Sequence, residues 1–234
     1  MPRRFRGGNS AGGSVLPAMI KWHHVGEGLA RLVWDPFDFF GAMILFDGFA
    51  ETAPLRAAYA RMLREVPPAS RERLRALTLA PVDVSALCAL PEGTLGRAYG
   101  RLFESRQVSP DAQVRAHPAL AETFARDWIY LRFCRVHDFH HVLLDFGLDA
   151  QGEMGLQAFN LRNFGEPFAA LAMLSAPVTA LRYGDPVRMA RELRRGWHLG
   201  AVLPNLFTAP FEDWLEQPLA DVRARLGLLP SKPW

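Results

Sequence analysis

The sequence predicts an all-α protein that folds as a single compact multi-helix domain. Apolar residues recur at spacings of three and four along nearly the whole chain, which is the period of a helix with one buried face. Runs that alternate polar and β-branched residues, as strands do, are scarce. The chain has 234 residues and is half hydrophobic, which is enough for one large core.

The first half of the chain is divided into predicted helices by proline and by capping residues. The segment from Trp22 to Trp34 is a predicted helix closed by Asp35-Pro36, and 37–49 is an aromatic-rich segment that we expect to be buried. The remaining predictions are a helix from Thr52 to about Val66, a short Arg-rich helix capped by Ser70, a connector between Pro81 and Pro91, and a helix opened by Gly93-Thr94 that reaches about Arg106.

The second half begins with a loop over 108–118 and a helix over 119–146 that is apolar on nearly every side, and which therefore lies inside the fold. Gly147 is predicted to end that helix, Asp149 to cap the next, and Gly165 with Pro167 to end that one. Further helices are predicted over 168–181, 186–200, 211–216 and 218–226.

The domain organisation follows from composition. Residues 1–16 form a basic tail rich in Gly and Ser that we expect to be disordered, and 17–234 form one helical domain. We expect no secretory signal, because residues 1–16 contain no apolar segment of the kind that such a signal needs. We expect no transmembrane helix, because the longest uncharged apolar stretch, 168–181, contains Pro177 and is shorter than the roughly 20 residues that span a bilayer. These features exclude a membrane-spanning helix but not contact with a membrane surface.

The charge distribution and the cysteine content argue against some classes of function. The net charge is +3, and the basic residues are interleaved with acidic ones, which argues against a nucleic-acid binder. Cys88 and Cys134 are far apart, which suits free thiols in a reducing compartment, and we expect a cytoplasmic protein. No Gly-rich phosphate loop and no GxSxG motif occurs.

The densest chemistry lies in His137-Asp138-Phe139-His140-His141, followed after eleven residues (142–152) by Glu153. At about 100° per residue, His137, Asp138 and His141 share one face of the predicted helix. Glu153 lies in the first turn of the next helix, which a short turn would fold back alongside. Two imidazoles and two carboxylates suit zinc, iron, manganese or cobalt, so the sequence predicts a metal site between two adjacent helices.

His140 and Asp145 are each a candidate either for a ligand or for a group that orients one, and Gln157 is a further candidate for an orienting group. The purely structural alternative is a buried helix whose histidines are hydrogen-bonded to carboxylates and bind no metal. A second alternative is an HD-type metal phosphohydrolase, because His137-Asp138 matches the central dipeptide of that class. That reading needs a further histidine and aspartate, for which His117 and Asp185 are positional candidates only.

The pattern HDxxH-x11-E resembles the signature of the coenzyme Q biosynthesis protein 4 family, which acts in making ubiquinone. Other segments are similar to that family too: Leu90-Pro91-Glu92-Gly93-Thr94-Leu95-Gly96-Arg97-Ala98-Tyr99, Trp197-His198-Leu199-Gly200, and the stretch from Trp214-Leu215 to Leu226-Gly227. The resemblance covers roughly residues 20–230. His140 departs from it, since a bulky apolar or aromatic residue is expected there.

The resemblance implies an all-helical fold and a divalent metal, usually zinc, held by His137, Asp138, His141 and Glu153, which are then also the catalytic residues. It implies removal, with oxidative replacement by hydroxyl, of the ring carboxyl group of a polyprenylated 4-hydroxybenzoate-type precursor. Zinc has no redox chemistry, so an oxidative reaction needs iron, manganese or cobalt, or direct reaction of the ring with oxygen. A rival hypothesis is a non-catalytic scaffold that binds a prenyl lipid and organises the pathway enzymes.

The family also implies peripheral association with the inner (cytoplasmic) membrane, contact with other quinone-biosynthesis enzymes, and a homo-oligomer. Arg188, Arg191 and Arg195 follow helical spacing and are candidates for binding lipid headgroups or an acidic ring, although such a stripe is more often a solvated face. The apolar segments 37–49 and 168–181 could line an isoprenoid tunnel or simply pack the core. Cys134 could be a ligand or nucleophile, but a small buried hydrophobe is favoured.

Overall fold

A computed structural model gives the structure of the protein, described for residues 20–35, 38–64, 66–104, 128–183 and 185–228. These ranges contain helices and turns and no strand, which confirms the all-α prediction. The helices are α1 Trp22–Trp34, α2 Phe39–Phe49, α3 Ala53–Met62, α4 Pro68–Leu79, α5 Val84–Cys88, α6 Leu95–Glu104, α7 Trp128–Leu144, α8 Ala150–Phe164, α9 Pro167–Tyr183, α10 Pro186–Val202 and α11 Leu219–Arg225. Short 3-10 turns occupy Leu206–Thr208 and Phe211–Trp214, and the predicted tail over 1–16 lies outside the described residues.

Aspartate begins four of these helices in the same way. The side chain of the N-cap aspartate accepts a hydrogen bond from the backbone N–H three residues later, which satisfies one of the free donors of the first turn. The capping residues are Asp38, Asp83, Asp149 and Asp185. The predicted cap at Asp149 and the predicted stop at Gly165, which has a left-handed φ of 69°, are both confirmed.

Two predicted boundaries in the first half are wrong. The Arg-rich helix begins at Pro68 rather than after Ser70, because proline has a preset helical φ and lacks the N–H that a first turn leaves unpaired. The predicted connector between Pro81 and Pro91 contains the short helix α5, which Asp83 caps.

The end of α7 also differs from the prediction. The helix ends at Leu144, and Asp145, not Gly147, takes the left-handed conformation, with a φ of 58°. Aspartate tolerates this region better than most residues. Arg195 on α10 donates hydrogen bonds to the carbonyls of Leu144 and Asp145, which satisfies acceptors that the helix end leaves free.

Helix α7 runs through the middle of the core. The ring of Phe139 lies between Tyr99 of α6 and Phe211, with ring centroids 3.9 and 5.0 Å away. Arg132 is fully buried and bonds to the carbonyls of Phe207 and Ala209. This helix is therefore held from several sides, and side chains on its remaining face keep a fixed position.

Helix α8 packs on α10 through glycine. A Cβ atom added at Gly196 would lie 1.9 Å from the carbonyl oxygen of Gly155, so only glycine lets the two backbones approach this closely. The contact holds α8 between α7 and α10 and sets the position of its first turn.

Candidate metal centre

Two histidines of α7 and one glutamate of α8 meet where the helices approach each other. His137 and His141 are four residues apart and project from one face of α7. Glu153 lies in the first turn of α8. Its Oε2 is 3.2 Å from His137 Nε2 and its Oε1 is 3.2 Å from His141 Nε2, while the two Nε2 atoms are themselves 3.2 Å apart.

The structure therefore brings three of the four expected ligands together. One donor atom from each of His137, His141 and Glu153 lies within 4.8 Å of the others, the arrangement of side chains that could hold a metal ion. Two imidazole nitrogens and one carboxylate suit zinc and also iron, manganese or cobalt. The donor set fits the divalent metal that the sequence predicts.

Hydrogen bonds orient both imidazole rings. His141 Nδ1 lies 3.1 Å from the carbonyl oxygen of Phe146 and donates to it, so Nε2 is the ring nitrogen that faces Glu153. His137 Nδ1 lies 3.4 Å from the side-chain amide of Asn160, and the other end of that amide lies 3.2 Å from His140 Nδ1. The ring orientations are thus built into α7, α8 and the turn between them.

The carboxylate and the imidazoles of the cluster stabilise one another's charged forms. Burial by itself would raise the pKa of the Glu153 carboxyl, but hydrogen bonds and charge from His137 and His141 outweigh burial and hold that pKa far below its usual value. Burial lowers the pKa of His141, whereas the hydrogen bond and charge of Glu153 and the charge of Asp138 raise it, and the net shift is upward. The carboxylate therefore stays ionised, as a metal ligand must.

Asp138, the fourth expected ligand, lies outside the group of three. It lines the same cavity as His137 and Glu153, and its charge contributes to the raised pKa of His141. The structure places this carboxylate beside the cluster without bringing it into the group.

The neighbours predicted to orient ligands take different positions. His140 is fully buried, and burial with the charge of His137 holds its pKa well below the usual value, so the ring is neutral. The side-chain amide of Asn160 links it to His137. Asp145 is exposed at the end of α7. Gln157 lies one turn after Glu153 and lines the same cavity.

A cavity of about 950 Å³ adjoins the cluster. Polar residues His137, Asp138, Glu153 and Gln157 form part of its wall, and much of the remainder is apolar. Residues from both predicted apolar segments take part, including Met43 of α2 and several from α9. Segments 37–49 and 168–181 therefore supply cavity wall as well as core.

The arginine stripe lies on α10, outside the cavity wall. Arg195 bonds to the end of α7 and packs over the Phe146 ring at 4.3 Å. Arg188 pairs with Asp149 at 2.6 Å, and Arg191 lies 3.7 Å from Glu192. In this structure Arg188 and Arg195 connect α10 to α8 and α7, and none of the three arginines lines the cavity.

Other sequence candidates take structural positions. Cys134 is buried, and burial with the charges of Asp138 and Glu166 raises its pKa far above the usual value, so the thiol is protonated and unreactive. Asp185, a positional candidate for an HD-type hydrolase, caps α10. His117, the other such candidate, lies outside the described residues.

Sequence reasoning missed Asn160 and the Phe146 carbonyl. A signal for Asn160 was available, because Glu153, Gln157 and Asn160 follow the spacing of four and three that marks one helix face. No sequence signal identifies a backbone carbonyl as the partner of His141.

Comparisons with known proteins identify similar proteins. A family model described as "Coenzyme Q (ubiquinone) biosynthesis protein Coq4" matches residues 59–232. The ubiquinone biosynthesis protein COQ4 homolog, mitochondrial, of Rattus norvegicus is 31% identical over 160 residues, covering 68% of this chain and 59% of the rat protein. The mitochondrial COQ4 protein of Eremothecium gossypii is 31% identical over 170 residues, covering 72% of this chain and 49% of its own length.

The chain thus spans half to three fifths of the length of these curated relatives. Their names place them in mitochondria, which differs from the cytoplasm expected for this chain. A crystal structure from Nostoc punctiforme PCC 73102, of a protein provisionally assigned to ubiquinone biosynthesis, superposes with a TM-score of 0.67. It covers 89% of this chain and 97% of its own at 22% identity, which shows a shared fold.

Among the described helices, none combines the length and the apolar composition needed to cross a bilayer.

Proposed function

This chain belongs to the coenzyme Q (ubiquinone) biosynthesis protein Coq4 family, and we propose that it acts in ubiquinone biosynthesis as a metal-dependent enzyme. The proposed reaction removes the ring carboxyl group of a polyprenylated 4-hydroxybenzoate-type precursor as carbon dioxide, with dioxygen as the oxidant where hydroxyl takes its place. The observation that carries the proposal is the cluster of His137, His141 and Glu153 in the wall of a large and mainly apolar cavity.

His137, His141 and Glu153 would hold the metal, and Asp138 is added to this set on the family signature alone. A divalent metal there would supply Lewis-acid stabilisation of the ring carboxylate or phenolate. The Phe146 carbonyl keeps a proton on His141 Nδ1, which leaves Nε2 as a donor atom. Glu153 stays ionised because the two imidazoles hold its pKa far below the usual value.

The cavity suits a substrate with a long apolar tail. Its volume of about 950 Å³ lies at the upper end of the range for small-molecule sites. Leu29, Val33, Leu174 and Val178 line it and are also exposed, so one rim of the cavity is apolar and open to the outside. Such a rim supports entry of a prenyl tail from a membrane surface, where we place the chain as a peripheral homo-oligomer that contacts other enzymes of the pathway.

Single-turnover decarboxylation tests the enzymatic proposal. The full chain, loaded in turn with zinc, iron and manganese, is mixed with 4-hydroxybenzoate carrying a short prenyl tail, and carbon dioxide and the ring product are measured. We expect release with at least one metal and a decrease of more than about 100-fold in His141→Ala, which loses a ligand. His198→Ala changes an exposed histidine of α10 outside the cluster and serves as the matched control.

The apolar cavity also favours a second candidate, a non-catalytic scaffold that binds a prenyl lipid. A wild-type chain that binds metal and prenylated ring acid but releases no carbon dioxide with any metal, with dioxygen present, contradicts the enzyme and favours the scaffold.

A further inference from the structure

Two arginines from distant parts of the chain close the end of α7. The backbone carbonyl groups of residues 142–145 lie at this end, where a helix leaves its acceptors without partners of its own. Arg223 of α11 donates to the first two carbonyls, with N–O distances of 2.9 Å, and Arg195 of α10 donates to the last two. Positive charge at a helix C-terminus also interacts favourably with the helix dipole. The end of α7 is therefore fixed by α10 and α11 together.

The turn that follows α7 carries the group that orients His141. Asp145 takes the left-handed conformation, and the carbonyl of the next residue, the buried Phe146, accepts a hydrogen bond from His141 Nδ1. Arg195 contacts both residues of this turn. It donates to the Asp145 carbonyl, and its guanidinium carbon lies 4.3 Å from the centroid of the Phe146 ring. The side chain that closes the helix thus also holds the residue on which the orientation of the His141 ring depends.

Arg195 is itself held in place and lies outside the cavity wall. Its side chain is 15% exposed, and Glu192, one turn earlier on α10, accepts a hydrogen bond from it at 3.4 Å. The close contact of Gly196 with Gly155 fixes this part of α10 against α8. Arg195 does not line the cavity, so it would act on the cluster through the turn that it holds and without touching a substrate.

We propose that Arg195 is a positioning residue of the metal cluster. By holding residues 144–146, it keeps the Phe146 carbonyl where His141 Nδ1 can donate to it. The inference deepens the proposed function and rests on its metal site. Without the guanidinium group, the two carbonyls that it binds turn towards water, and the Phe146 carbonyl moves with them. Partners that orient a metal-binding histidine typically contribute about 10- to 100-fold to metal affinity.

Zinc affinity of the full chain, measured by competition with a chromogenic chelator, tests the inference. Arg195→Met keeps an apolar stem over the Phe146 ring but has no donor, and we expect it to lower the zinc affinity by about tenfold. Arg223 still closes the other half of the helix end, so the variant should fold, which circular dichroism checks. Arg195→Lys keeps one charged donor and should lose less than about threefold, which gives a second variant if Arg195→Met does not fold.

Arg71→Met is the matched control. Arg71 donates to the carbonyls of Leu63 and Val66 at 2.9 and 2.8 Å, which is the same kind of contact at the end of α3, a helix that carries no residue of the cluster. We expect its zinc affinity to stay within about twofold of the wild type. A decrease as large as that in Arg195→Met would show that any lost contact of this kind weakens zinc binding, and would overturn the inference.

The Nδ1 proton of His141 gives a second readout, which a merely structural role of Arg195 would not move. In metal-free protein with ¹⁵N-labelled histidine, this proton should give a slowly exchanging signal, identified by its loss in His141→Ala. We expect the signal in the wild type and in Arg71→Met, and its loss in Arg195→Met. An unchanged signal or an unchanged zinc affinity in Arg195→Met overturns the inference and leaves the proposed function standing. A wild-type chain that binds no zinc, iron or manganese overturns both.

Discussion

Asn160 connects the metal cluster to the buried ring of His140 through one side-chain amide. Its ends lie 3.4 Å from His137 Nδ1 and 3.2 Å from His140 Nδ1. In the structure the amide nitrogen Nδ2 faces His137 and the amide oxygen Oδ1 faces His140. For His137 Nε2 to bind a metal, the ring proton must sit on Nδ1, so the amide has to turn over and present its oxygen to His137. His140, at which the family resemblance leads us to expect an apolar or aromatic residue, is a neutral partner of this amide.

We predict that Asn160→Leu lowers the zinc affinity of the chain by about 10- to 100-fold, because His137 loses the group that orients its ring. Competition with a chromogenic chelator measures the affinity. Asn160→Asp keeps acceptor oxygens at the same place and should retain most of the affinity. Equal zinc affinity in Asn160→Leu and the wild type would show that Asn160 only packs.

At the scale of the helices, the site depends on how closely α8 can approach its neighbours. Gly155 and Gly196 let the backbones of α8 and α10 meet, and Arg195 of α10 closes the end of α7. The first turn of α8, with Glu153, is thus positioned by α10 although no residue of α10 belongs to the cluster.

We predict that Gly196→Ala destabilises the protein by about 3 kcal/mol or more, because the new methyl group would overlap the Gly155 carbonyl and force the helices apart. Urea unfolding followed by circular dichroism measures the free energy. Gly26→Ala is the matched control. A Cβ atom there meets nothing within 4 Å, so alanine in helix α1 should stabilise by about 0.5–1 kcal/mol. A loss in Gly196→Ala no larger than about 1 kcal/mol would contradict the close helix contact.

At the scale of the whole molecule, one buried carboxyl couples global stability to pH. Glu166 is fully buried, its Oε1 has no partner among the described residues, and burial raises its pKa from 4.5 to about 8 despite hydrogen bonds from the backbone N–H groups of Phe168 and Ala169. The titratable neighbours Tyr130 and Cys134 have pKa values raised by burial, so they stay neutral over this range.

A raised folded-state pKa means that the contribution of Glu166 to stability is fully present below pH 4.5 and is lost as the pH rises towards 8. At pH 7 the loss is about 3 kcal/mol. We predict that Glu166→Gln, which mimics the protonated carboxyl, is more stable than the wild type at pH 7 by about this amount and equal to it near pH 4.

Urea midpoints at several pH values check this, with Glu72→Gln as a control, since the Glu72 side chain is 76% exposed. The same pH dependence in Glu166→Gln and the wild type would show that another group is responsible.

The sequence by itself determined the features that depend on near neighbours along the chain. Helical periodicity predicted the fold class, Asp149 and Gly165 predicted both ends of α8, and the four-residue spacing of His137 and His141 predicted a shared face. Each is a local property, because caps and helix faces are set within one or two turns. The short turn predicted at Gly147 folds the next helix back alongside, and it likewise predicted that Glu153 lies near the two histidines.

The tertiary structure decided everything that depends on contacts between distant segments. It alone showed that Asn160 and the Phe146 carbonyl contact the two histidines and that Asp138 lies beside the group of three. It also showed that Arg195 donates hydrogen bonds to the carbonyls at the end of α7. It showed the cavity that adjoins the cluster as well. These features depend on which helix faces come into contact. Packing across the core decides those contacts, and the spacing of residues within one helix does not reveal them.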